Sequence, residues 1–166
     1  MAGHHRRQWA TAAVAAAVLS IAVPIPASAA DFDFVFPAGT ACDFELRVTG
    51  TGGSAITREF TDSDGNTVRT LTAGRGVDLT FTNVTTDATV SLKGNGSVIS
   101  ATLDPDGSST VRSTGHNVLV MFPTDVPAGP STTLYVGQVT YDVDAQGIFT
   151  ITGSSGRTRD ICDELG

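Results

Sequence analysis

Alternation of apolar and polar residues constrains this chain more than any other feature. In "FELRVT" Phe44, Leu46 and Val48 alternate with Glu45, Arg47 and Thr49, and in "VDLTFT" Val77, Leu79 and Phe81 alternate with Asp78, Thr80 and Thr82. "ATVSLK" repeats the pattern with Ala88, Val90 and Leu92. A period of two puts one face of each segment in a core and the other in water, which is the signature of half-buried strands. No helical stripe follows residue 30. "DSDGN", "KGNGS", "DPDGS" and "DAQG" punctuate the segments with glycine and with Asp or Asn, and read as four hairpin turns. The expected strands are 43–49, 55–61, 67–72, 76–82, 87–93, 97–103, 109–114, 117–122, 132–143 and 147–153. About ten amphipathic strands predict an all-β domain, a two-sheet antiparallel β-sandwich, with a closed β-barrel as the alternative. "FPTDVPAGPSTT" carries three prolines and reads as an exposed connection between strands.

That domain is expected to occupy residues 31–166. Residues 1–30 begin with Arg6 and Arg7, continue through the apolar "WATAAVAAAVLSIAV" and end in "PIPASAA", the order of a signal peptide cleaved after Ala29 or Ala30. The apolar run is too short to serve as a comfortable membrane span, so no stable membrane insertion is expected after cleavage and the mature protein is expected to be secreted. Two cysteines remain, Cys42 and Cys162, near the two ends of the mature chain. In an oxidising compartment they are expected to form one disulfide that ties the first core strand to the last. Spaced so far apart, with one histidine in the mature chain, they do not read as a zinc or redox pair.

Charge excludes further classes. Without the leader, 8 Lys and Arg face 17 Asp and Glu, a formal balance of −9. Nucleic acid and anionic membranes require a basic patch, and these cations are scattered, with Arg157 and Arg159 the nearest approach to a cluster. Neither nucleic acid nor a cofactor is expected. Trp9 leaves with the leader, so the mature chain is poor in the aromatics that line sugar clefts.

Few residues remain as candidate sites. His116, in "TGHNVLVMFPTDVPAGP", is the one histidine outside the leader. The residues from Val118 to Phe122 do not alternate, as in a strand buried on both faces. His116 then stands where that strand enters the core. A catalytic imidazole needs a nucleophile and an acid beside it, and no "GxSxG" elbow frames a serine here. The expected reading is a strand-end histidine without catalysis. Asp62 and Asp64 imitate a calcium loop, but Gly65 occupies the wrong position and no distal glutamate follows, so tight turn chemistry accounts for them. Tyr135 and Tyr141 could stack on a ligand; sharing one strand face with Val139 and Val143, they read better as core residues, and Gly137 between them as a bulge or a close approach of another segment.

"FPAGTACDFELRVTGTGG", "LTFTNVTTDATVSLKGNGSV", "STGHNVLVMFPTDVPAGPSTTLYVG" and "SSGRTRDICDELG" together cover most of residues 36–163. In them the chain resembles a group of small secreted, uncharacterised proteins of actinobacteria. The resemblance implies export and a shared fold, and implies no activity. Two functional classes follow from the residues: a non-enzymatic extracellular or envelope-associated module for an unknown ligand of the cell envelope or medium, and a small hydrolase centred on His116.

Overall fold

The computed structural model describes residues 32–166, and the expected signal peptide lies outside them. The chain forms β1 (Phe32–Phe36), β2 (Leu46–Thr51), β3 (Ser54–Thr61), β4 (Thr67–Arg75), β5 (Asp78–Asn83), β6 (Thr89–Leu92), β7 (Gly96–Leu103), β8 (Ser109–Met121), β9 (Ser131–Val143), β10 (Phe149–Asp160) and α1 (Ile161–Leu165). These make two antiparallel sheets, β1-β2-β5-β6 and β10-β9-β8-β7-β4-β3, and neither closes into a barrel.

Alternation places the core as the sequence suggests. Leu46 and Val48 of β2 and Phe81 of β5 are buried, and Leu79, Val90 and Leu92 pack beside them. Leu134, Val118, Val120 and Val136 meet them from the larger sheet. Ile161 and Leu165 of α1 close one end. The helix is only five residues long, too short to show a periodic stripe. Asp160 caps it, its carboxylate accepting from Cys162 N at 2.9 Å and Asp163 N at 3.2 Å. The disulfide joins Cys42 to Cys162 across 120 residues. It ties the loop before β2 to α1, not the first strand to the last, because Cys42 precedes β2 and Cys162 follows β10.

A row of glycines bends the larger sheet back on itself. Gly115 pairs with Gly137 and Gly137 with Gly156, and the row continues through Ser97 to Gly74. The four glycines all have positive φ, between 96° and 147°. A straight strand of β9's length spans about 40 Å. Yet Asp125, four residues beyond Met121, accepts from Phe122 N at 2.6 Å and from Phe149 N at 3.0 Å. Met121 pairs with one end of β9 and Phe149 with the other, so those ends lie far closer than 40 Å. A Cβ at Gly137 would run into the Ser155 carbonyl oxygen, and one at Gly115 into that of Gly96, so the crease needs hydrogen at these positions.

The crease explains why burial changes phase along β9. Before Gly137 the even residues Thr132 and Leu134 are buried, toward the smaller sheet; after it the odd residue Val139 is, inside the bend. Val111, Ser113, Asn117 and Met121 of β8 are buried on the odd side. Arg112, Gln138, Thr110 and Asp142 bond one another on the outer side.

Several sequence expectations are corrected. Residues 109–114 and 117–122 belong to one strand, because Gly115 bends β8 without ending it. "KGNGS" is not a hairpin: it carries the chain from β6 in one sheet to β7 in the other. The strand expected from residue 43 starts at Leu46. β1 was not foreseen, since "FDFVF" alternates too briefly; its Phe32 ring fills the space beside Gly50. The proline-rich segment is mostly exposed but carries buried Asp125 and pairs Val126 with Thr150.

Candidate functional site

His116 is not at a strand end but within β8, one residue past the crease. Val136 stands opposite it on β9, and Arg157 stands opposite Val136 on β10. Directly opposed residues share a face, and Val136 packs on the core, so His116 and Arg157 both project toward the smaller sheet. Arg159 joins them through the neighbouring row, Val118–Leu134–Arg159. With Lys93 and Asn95 these side chains line a cleft of about 390 Å3, floored by Leu92, Leu134 and Val136.

Two of the cations at the cleft, Lys93 and Arg159, are ion-paired. Lys93 Nζ lies 3.0 Å from Asp78 Oδ2, and Asp78 also accepts from Gly94 N at 2.7 Å and Arg75 Nη2 at 2.9 Å. The Gly94 amide, then Lys93 and Arg75, hold the Asp78 carboxyl down at about 2. These bonds lace the β4–β5 crossing to the β6–β7 crossing, where a Cβ on Gly94 would strike the Gly76 carbonyl. Arg159 is gripped by Glu164 of α1 at 2.9 Å and 2.6 Å, and the guanidinium lowers the Glu164 carboxyl below its ordinary range. Among the described residues Arg157 has no carboxylate partner within ion-pair distance.

A chamber of about 230 Å3 adjoins the cleft, sharing Leu92, Lys93, Asn95, His116 and Leu134 with it. It forms where β8 parts from β7: their ladder stops at Ser97↔Gly115, and beyond it Gly76, Val77, Gly94 and Asn95 occupy the place of a strand. Leu79, Ile99, Leu119 and Tyr141 give it apolar walls. Ser113 and Asn117 also line it, at 1% and 8% exposure, and Ser113 Oγ and Asn117 Nδ2 have no hydrogen-bond partner among the described residues. Leaving a polar group buried and unpaired costs about 1 to 3 kcal/mol. Two together mark this chamber as unusual.

The cleft holds no nucleophilic triad. Ser91 lies in the row Thr49–Thr80–Ser91, on the face away from Leu92, with its hydroxyl 3.2 Å from that of Thr80. Thr158 is opposite Tyr135 and so points away from the core face. Ser113 pairs with Val139 inside the bend, whereas His116 pairs with Val136 on the outer side, so the two project from opposite faces of β8. Among the described residues no Asp or Glu lines either space.

The remaining candidates are dispersed. Asp62 accepts from Asp64 N and Asn66 N, both at 2.9 Å, and from Asn66 Nδ2 at 3.2 Å; these bonds, those from Asn66 foremost, hold its carboxyl below the ordinary value. It closes the β3–β4 hairpin. Among the described residues no group of three or more His, Cys, Asp and Glu side chains could hold a metal ion. Tyr141 stacks on Phe149 with ring centroids 5.4 Å apart and lines the chamber, whereas Tyr135 is opposite Asn117 and does not. Burial raises both phenols above their ordinary value. Of the residues around the cleft the sequence offers only His116 as a site candidate; Arg157 and Arg159 read there as scattered cations, and the bent sheet brings them together with Lys93, Ser113 and Asn117.

No protein-family model matches the chain, and no curated protein or solved structure matches it either.

Proposed function

We propose that the protein is an exported, non-enzymatic β-sandwich that holds a small ligand in the cleft and chamber beside His116, in the medium or at the cell envelope. One observation carries this reading: the cleft and chamber surround the imidazole with cations, aliphatic side chains and unpaired polar groups and, among the described residues, with neither a hydroxyl bonded to it nor a carboxylate. Such a lining can orient a ligand, and it lacks the base-activated nucleophile that acyl or phosphoryl transfer to the protein requires. Export is supported by the leader-like residues 1–30 and by the disulfide, which persists in oxidising compartments. No helix among the described residues is long and apolar enough to cross a membrane.

The competing reading is a hydrolase built on His116. Purified wild-type protein and His116→Ala are to be compared on nitrophenyl esters, phosphates and glycosides. Equal, background-level rates are expected. Turnover by wild type that disappears in His116→Ala would overturn the proposal.

A further inference from the structure

The lining of the site specifies a class of ligand. The chain holds 17 Asp and Glu against 10 Lys and Arg, yet among the described residues not one carboxylate lines the cleft or the chamber. Lys93, Arg157 and Arg159 all do, with His116 between them and the chamber. In an acidic protein such a concentration of positive charge makes the cleft the place where a negative group is best received. Asp78 and Glu164 stand behind Lys93 and Arg159 and orient them. Arg157, with no carboxylate partner among the described residues, has its guanidinium donors free for a bidentate contact.

The chamber adds an independent requirement. Much of its wall is apolar, and two of its polar side chains, Ser113 and Asn117, are more than nine-tenths buried with hydrogen-bonding atoms unused among the described residues. An amide N–H donor asks for an acceptor and a hydroxyl can take either role. A group that satisfied both would recover the penalty of burying them unpaired, so the site favours a ligand whose uncharged end carries a carbonyl or hydroxyl.

We infer that the site binds a small organic anion, its carboxylate or phosphate held at the mouth by Arg157, Lys93 and Arg159 and its uncharged body, bearing a hydrogen-bonding oxygen, placed in the chamber against Ser113 and Asn117. This rests on the reading of the cleft as a binding site. The size agrees: about 390 Å3 of cleft with about 230 Å3 of chamber accommodates a compact molecule of one ring or a short chain, not a polymer.

The test is an NMR titration of the disulfide-bonded protein with matched probes: benzoate with benzamide, 4-hydroxybenzoate with 4-hydroxybenzamide, phenyl phosphate with phenol, and inorganic phosphate. Expected are shifts of the Asn117 side-chain amide and of Ser113 with the ring-bearing anions, weaker binding of each neutral partner, and shifts confined to the mouth with inorganic phosphate. Arg157→Gln, on the surface and with unchanged melting, should weaken the anions by about tenfold or more, the loss of one charge-assisted hydrogen bond, and leave the neutral probes unaffected. Stronger binding by the carboxylates or by phenyl phosphate identifies which anion the mouth prefers. Neutral probes that bind in the chamber as tightly as the anions would overturn the anion assignment and leave the binding-site reading standing. Shifts from no probe at any cleft or chamber residue would overturn both.

Discussion

The half of the molecule around the disulfide and the outer part of the larger sheet are built from strands of the same composition and held together differently. Around Cys42–Cys162, Ala41, Leu46, Phe81 and Ile161 are all 0–1% exposed, and strands of both sheets and α1 converge on them. Thr132 is equally buried and donates to the Ala41 carbonyl at 3.0 Å. At the far edge of the larger sheet, every residue of β3 is exposed, Ile56 at 72% and Phe60 at 43%. The Arg69 guanidinium lies over the Phe60 ring, 5.4 Å from its centre. β3 is fastened by its ladder to β4, a Thr57–Thr72 hydroxyl pair and the Asp62 turn. Alternation alone therefore does not tell a core strand from an edge strand; what lies across from the apolar face decides.

The comparison can be broken most forcefully at the disulfide. Replacing both cysteines with alanine should lower unfolding free energy by roughly 4 to 5 kcal/mol on the chain-entropy model, measured by urea denaturation against wild type. A loss under about 1 kcal/mol, a size usual for ordinary surface changes, would remove the bond as the distinguishing element of that half. Next comes the crease that connects the two halves. Gly137→Ala places a side chain at φ 140° and into the Ser155 carbonyl, and should cost about 2 to 4 kcal/mol by strain and overlap together. Wild-type stability in this variant would show that the sheet turns elsewhere. The smallest effect is expected at the exposed edge, where Ile56→Ala should change stability by less than about 0.5 kcal/mol although isoleucine is a favoured strand residue. A loss of about 2 kcal/mol or more, the size of a core truncation, would mean that β3 is buried against something in solution and that the contrast between the halves is misplaced.

Legibility in the sequence followed the range of the interactions. β2, β5 and the β3–β4 hairpin depend on neighbours a few residues away, and "FELRVT", "VDLTFT" and "DSDGN" carry their patterns openly. The half-and-half burial of β9 was not legible, since Leu134 and Val139 are on opposite faces and each is buried against a different layer. Nor was the β6–β7 crossing: "KGNGS" has the composition of a hairpin turn, and Gly94 and Asp78 are spent instead on holding two crossings together. For the candidate site only His116 stands out in the sequence; Arg157 and Arg159 read as scattered cations, and Lys93, Ser113 and Asn117 are each ordinary in their own segments.

By itself the sequence determined the class of fold, the pairing of its only two cysteines and the faces of the short strands, because side-chain period, turn chemistry and cysteine count act locally or leave a single choice. It did not determine which apolar faces meet. Gly137 alone stands out in the sequence as a close approach, which the Ser155 carbonyl makes; Gly74, Gly115 and Gly156 lie far from it in the chain, and only strand register sets the four in one row. Once the sheet folds along that row, Ser113 and Asn117 come to line a chamber, and Lys93 just after β6 with Arg157 and Arg159 of β10 its mouth. The physical reason is that strand pairing joins residues tens of positions apart, and no local pattern encodes which distant residues will share a row.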